Sequence, residues 1–185
     1  PISEIEMQKS YPLTYNFFLN FKDELLERSG YKKFLTNQPF YGLYNIGPYT
    51  LAPIKLGWQF VSKNFQVHLI DRAEDIIPDL NVMFIPLTDM DEAYYLHALL
   101  NSKYAKEKIE SSSNWTFPSG SIQKIYLEKF YIKNDLHSKI SALQKKILMK
   151  EKDAHNEEMD TYFKEYWFNG RGKKKSAKES QLSLL

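Results

Sequence analysis

FYGLYNIGPYTLAPIKLGW, residues 40–58, is the stretch on which the reading of this chain turns. It holds four aromatic side chains (Phe40, Tyr41, Tyr44 and Tyr49), a Gly47-Pro48 turn, a single cation at Lys55, and Trp58. The pattern predicts short strands at 40–45 and 49–52 folded into a hairpin, with a further strand at 56–61. Nothing in it performs acid/base or nucleophilic chemistry alone, for it has no Ser/His/Asp set, no paired carboxylates and no metal-ligand spacing. Aromatic rings, amides and isolated cations are instead the groups that hold a stacked or phosphate-bearing partner. About half of these rings are expected in the core, since aromatics carry much of any core's burial.

Outward from this stretch the chain alternates strand and helix signals. Further strands are expected at 65–70, 82–85 and 125–132, separated by turns at Ser62-Lys63-Asn64 and Pro78-Asp79. A helix is expected at 91–108, capped by Asp89, with Ala93, Leu96, Leu99 and Leu100 on its apolar face. Residues 111–120 read as a loop with Trp115 in its middle, either tucked onto the domain or held out for a partner.

Before the central region, Phe17, Phe18, Phe21, Leu25 and Leu26 recur at helical spacing. They predict a helix over 12–29, capped by Ser10, opened by Pro12 and stopped by Ser29-Gly30. After it, Leu136, Ile140, Leu143 and Ile147 form a four-three-four seam on a long helix from 135, with a second aromatic patch at Tyr162, Phe163, Tyr166 and Trp167. The division expected is a connecting helix at 1–30, a central domain at 31–134, a long C-terminal helix at 135–169 and a basic, flexible tail at 170–185. The fold class is α+β: a small, twisted, at least partly antiparallel sheet with N-terminal, mid-chain and C-terminal helices.

Composition narrows the function. The 185 residues are 43% apolar and 26% charged, ordinary for a globular domain, and the 15% aromatic share opposes disorder over most of the length. With no cysteine there are no disulfides, thiolate nucleophiles or Cys-type zinc sites, which suits a reducing cytoplasm. His68, His97, His137 and His155 never pair at metal-ligand spacing, so no metal is expected. No apolar run reaches the length of a membrane span. The net charge of +2 excludes a uniformly basic surface, leaving only local patches such as Lys103, Lys106, Lys108 and Lys124.

The 40–58 stretch, followed by DEAYYLHALLNSKYA at 91–105, resembles the C-terminal specificity region of N6-adenine DNA methylases of restriction-modification systems. The pattern is most similar to that of chains combining methylase, sequence reader and sometimes nuclease. In that family a comparable aromatic hairpin with the K-x-x-W spacing of Lys55 and Trp58 precedes strands and a helix ending in an LLNS turn. The resemblance covers roughly residues 31–132. It implies target recognition on double-stranded DNA, a fragment of a longer protein, S-adenosylmethionine as the parent enzyme's cofactor, and a catalytic methylase domain as partner in the same chain or a separate subunit.

The catalytic motifs themselves are missing. There is no Pro-Pro dipeptide for the tetrapeptide that grips a flipped adenine. The one Gly-x-Gly, at Gly170-Arg171-Gly172, lies in the basic tail, and no Asp or Glu has Lys two residues after it, as a nuclease core of the D/E-x-K type requires. The fragment is therefore read as non-catalytic and as holding no cofactor of its own.

Within a DNA reader, Lys55, Lys63, Lys103 and Lys124 are candidate phosphate contacts, and Asn45, Arg72, Asn114 and Gln123 candidate base contacts. Tyr41, Tyr44, Tyr49, Trp58 and Trp115 are candidates for packing on sugars or thymine methyls, or else core. Lys55 leads, because it interrupts an apolar run and is expected to aim its ammonium at solvent or a partner. Two other classes stay open: a protein-interaction module docking through the C-terminal seam and aromatics, and a small enzyme with an unfamiliar site.

Overall fold

The computed structural model describes residues 2–71, 76–111, 113–150 and 156–169. Arg72 and the tail at 170–185 lie outside the described residues, as do residues 151–155, which hold His155. The chain divides into two compact units, Pro1–Pro48 and a second beginning at Tyr49. The division falls inside the aromatic stretch rather than at residue 30.

The first unit is helical. Helices α1 (Glu4–Ser10), α2 (Pro12–Leu19), α3 (Lys22–Glu27) and α4 (Ser29–Phe34) replace the single helix expected over 12–29. Ser10 is the last residue of α1 and caps nothing ahead of it, whereas Pro12 opens α2 as expected. Ser29 starts a helix rather than ending one, because Arg28 takes an extended ψ of 132° between α3 and α4. Met7, Tyr15 and Phe40 form the buried centre, with Phe18, Leu25, Leu26 and Tyr41 packed against it.

Residues 40–45 are not a strand. The Arg28 guanidinium donates to the carbonyls of Phe40 and Gly42, both at 2.9 Å, taking acceptors that a ladder would have used. Asn45 then turns left-handed at φ 62°, a conformation Asn tolerates better than most residues. Residues Pro48–Leu51 close into a 3₁₀ turn, for which proline's fixed φ is suited. No hairpin therefore forms between 40–45 and 49–52.

The second unit is α+β. Strand β1 (Ile54–Gln59) lies between β2 (His68–Asp71) and β3 (Val82–Leu87), antiparallel to both. Ile54, Leu56 and Trp58 alternate on one face of β1 and are buried in the main core. Helix α5 (Met90–Asn101) covers that face, and every residue from Ala93 to Leu100 is buried. Asp89 caps α5, its carboxylate accepting from the N–H groups of Asp91 and Glu92. The expected helix over 91–108 is broken at Ser102, whose extended backbone ends α5 and whose hydroxyl caps α6 (Lys103–Glu110).

The strand expected at 65–70 is shortened and the one at 125–132 fails, both for one reason: side chains satisfy the backbone where a ladder was expected. The N–H groups of Phe65 and Val67 go to the Glu110 carboxylate and the Asn101 amide, so β2 starts only at His68. In 125–132, Glu128 donates its N–H to the Tyr166 hydroxyl at 2.7 Å and accepts from the Tyr95 hydroxyl at 3.1 Å.

Helix α7 (Asp135–Leu148), capped by Asn134, lays Ile140 and Leu143 into the core against α5, with Leu136 and Ile147 at its margin. The seam thus closes on the chain's own core. The expected C-terminal helix is two helices, because the backbone turns left-handed at Lys150 (φ 56°) before α8 (Asn156–Lys164) and the π turn Glu165–Asn169. Among the described residues no helix is long and apolar enough to cross a membrane.

Candidate nucleic-acid interface

Lys55, the leading sequence candidate, does not face outward. Its side chain is fully buried on the face of β1 opposite the core helix; Nζ donates to the Ala52 carbonyl at 3.0 Å and lies 5.9 Å from the centre of the Phe84 ring. Gly57, two residues on, permits this face to be covered closely: a Cβ there would meet Ile70 Cδ1 at 3.3 Å and Val82 Cγ1 at 3.4 Å. The ammonium interacts within the fold, and the expectation that it aims at solvent is corrected: Lys55 is fully buried. Trp58 is also core, with Nε1 donating to the Phe117 carbonyl at 2.8 Å. These two residues make the K-x-x-W spacing a packing signature: alternation places Lys55 and Trp58 on opposite faces of one central strand.

Tyr41 is half-buried in the first unit, where its hydroxyl donates to the Ile2 carbonyl at 2.8 Å and its ring stacks on Phe18. Tyr44 stacks on Phe34 with ring centres 4.2 Å apart. Asn45 belongs to the same unit and is exposed. In the second unit Tyr49 is 38% exposed, with its ring 6.1 Å from Phe84.

Lys63, Asn114 and Trp115 do come together at one rim of the second unit. Phe60 accepts from the Phe117 N–H at 2.7 Å, Val61 bridges Thr116, and the Ser62 N–H donates to the Trp115 carbonyl at 3.0 Å. These antiparallel contacts set Lys63, just beyond Ser62, close to Asn114 and Trp115, and all three are exposed. The rim is rooted in the core through Phe117, which is 1% exposed and packs on Phe65 at 5.4 Å. The Ser113 hydroxyl adds a bond to the Thr116 carbonyl at 2.9 Å.

Trp115 is the unusual member. It is 65% exposed and sits at φ 62°, where a bulky residue carries strain of order 1–3 kcal/mol that the surrounding contacts must hold in place. Gln123 and Lys124 are exposed on the 3₁₀ turn Ser119–Lys124, which the buried Ser121 and Ile122 anchor. Lys103 is exposed at the start of α6 and pairs with Glu107 at 3.8 Å.

The densest polar cluster escaped sequence reasoning because its members lie far apart in the chain. The Tyr95 hydroxyl stands 3.2 Å from that of Tyr166 and 3.4 Å from His137 Nε2, which meets the Glu128 carboxylate at 3.2 Å. His137 Nδ1 accepts the Tyr131 N–H at 3.2 Å, so the neutral ring carries its proton on Nε2, facing Glu128. Burial holds His137 below its ordinary pKa against the opposing pull of Glu128, and pushes Tyr166 up to about 12. Tyr95, His137 and Tyr166 are buried, and the cluster ties α5, α7 and the C-terminal turn to residues 128–131. His97 is likewise buried, between the Asn101 and Gln144 amides. No group of three or more His, Cys, Asp or Glu side chains is placed to hold a metal ion among the described residues.

No protein-family model matches this chain, and no curated protein matches it significantly.

Proposed function

We propose that this chain recognises a target sequence on duplex DNA for an adenine-specific restriction-modification methylase. The observation that carries the reading is the pair of sequence patterns at 40–58 and 91–105, and their similarity to the specificity regions of such enzymes. The exposed rim of Lys63, Asn114 and Trp115 supports it, since it sets a cation, an amide and an aromatic face side by side on backbone paired between residues 60–62 and 115–117. Those are the groups needed for a phosphate, a base edge and a sugar or base face, respectively. Gln123 and Lys124 extend the same chemistry along the 3₁₀ turn.

In this reading the DNA-facing set contracts from the sequence list. Lys55, Trp58 and Tyr41 serve the fold, and contact falls to Lys63, Asn114, Trp115, Gln123 and Lys124. Methyl transfer belongs to a catalytic methylase domain, on the same chain or a separate subunit, with S-adenosylmethionine as its cofactor. The setting is the bacterial-type cytoplasm in which restriction-modification operates. Methylation of cognate and one-base-altered sites by the intact enzyme tests it. Asn114→Ala and Gln123→Ala should each cost about 1–3 kcal/mol of discrimination at one position only. Equal loss on all sites would count against base reading.

A further inference from the structure

We infer that Trp115 stacks its indole on the face of a nucleobase exposed at an opened or distorted base step, a role that rests on the duplex-DNA reading and specifies it. The chain has three tryptophans; Trp58 and Trp167 are buried at 2% and 3% exposure, and Trp115 alone stands in water at 65%. Its left-handed backbone, at φ 62°, is one that glycine adopts without steric cost and a large side chain does not. Core packing does not account for the ring, because the neighbouring Phe117 anchors the rim and the indole lies outside the hydrophobic cluster. Every base has a π-face, so a rigid aromatic side chain held out from a fixed base engages DNA whatever the sequence beside it.

The support beneath Trp115 is built for such a load. The Ser62 N–H holds its carbonyl, Thr116 bridges Val61, and Phe117 pairs with Phe60 while accepting from the Trp58 indole. The indole is therefore presented from backbone paired on its C-terminal side and rooted in the core. Lys63 and Asn114, exposed beside it, are the phosphate and base-edge partners an opened step would offer.

The test uses the three tryptophans directly. Binding of the 185-residue chain to two duplexes, one intact and one with a single abasic site, is followed at low salt by anisotropy of labelled DNA and by tryptophan emission. Expected results are quenching of the exposed emission on binding and tighter binding to the abasic duplex, where unstacking costs less. Trp115→Gly should abolish the quenching, weaken binding about tenfold or more, and leave the salt slope unchanged. Trp115→Phe should restore most of the affinity. The glycine variant's melting temperature should be unchanged or higher, because the left-handed strain is relieved. Binding without quenching, or a melting temperature lowered by several degrees in Trp115→Gly, overturns the stacking role and leaves DNA reading standing. Absence of binding to either duplex overturns both.

Discussion

The Asn101 side chain pairs with the backbone of Val67 as a neighbouring strand would: Oδ1 accepts the Val67 N–H at 3.1 Å and Nδ2 donates to the Val67 carbonyl at 2.9 Å. Its amide also reaches His97 Nε2 at 3.3 Å. The LLNS turn at 99–102 thus has a physical meaning. Leu99 and Leu100 are core, Asn101 holds the approach to β2, and Ser102 ends one helix and caps the next. Asn101→Ala should destabilise the fold by about 2–4 kcal/mol through two orphaned backbone groups. Urea unfolding checks this, and an unchanged midpoint would show that water replaces the amide.

Ile140 is fully buried where α7 meets α5. Ile140→Asp should cost roughly 3–5 kcal/mol by placing an unpaired carboxylate in the core, while Ile140→Val should cost about 1 kcal/mol. Thermal melts of both variants decide it. Equal and small effects would mean that the α5–α7 contact is loose.

How much of this was legible in the sequence depended on whether neighbouring residues or distant ones made the decision. The Asp89 cap, the apolar face of α5 and the seam on α7 follow from local spacing and appear as read, and the strand around Trp58 forms two residues earlier than expected, at Ile54–Gln59 rather than 56–61. The hairpin at 40–52 and the strand at 125–132 do not form. Arg28 takes the carbonyls of Phe40 and Gly42 from twelve and fourteen residues away, and Tyr166 takes the Glu128 N–H from 38 away. Such competition leaves no mark in a local alternation pattern. Lys55 misled for a related reason: an isolated lysine in an apolar run reads as outward-facing unless its acceptor is known, and here the Ala52 carbonyl lies three residues back. Of the rim, Trp115 in a polar loop was visible, but its left-handed backbone and its closeness to Lys63 required the fold.

Because Lys55 is buried, its removal should be felt in folding. Lys55→Ala should lower stability by about 2–4 kcal/mol through lost packing and the Ala52 carbonyl left without this donor. The number of phosphate contacts should stay the same. Unfolding midpoints read the first effect and the salt slope of DNA binding reads the second. A lowered slope with unchanged stability would return Lys55 to the DNA-facing set.

His97 sets a pH dependence. Burial, with His68 contributing, holds its pKa down from 6.5 to about 4. The folded chain therefore keeps this ring neutral where the unfolded chain binds a proton. Its contribution is fully present above pH 6.5 and is lost as pH falls towards 4, by roughly 3 kcal/mol across that window. Denaturation midpoints at several pH values should show the decline, and His97→Gln should flatten it. An equally steep decline in the variant would assign the effect to other groups, His137 foremost.

The salt dependence of duplex binding tests the central claim most directly. Affinity of the 185-residue chain is measured from roughly 50 to 200 mM salt, alongside Lys63→Ala and Lys124→Ala. DNA reading through the rim predicts a steep linear loss of log affinity with log salt, and a slope reduced by about one in each variant. Affinity indifferent to salt, or no binding at the lowest salt, would contradict it.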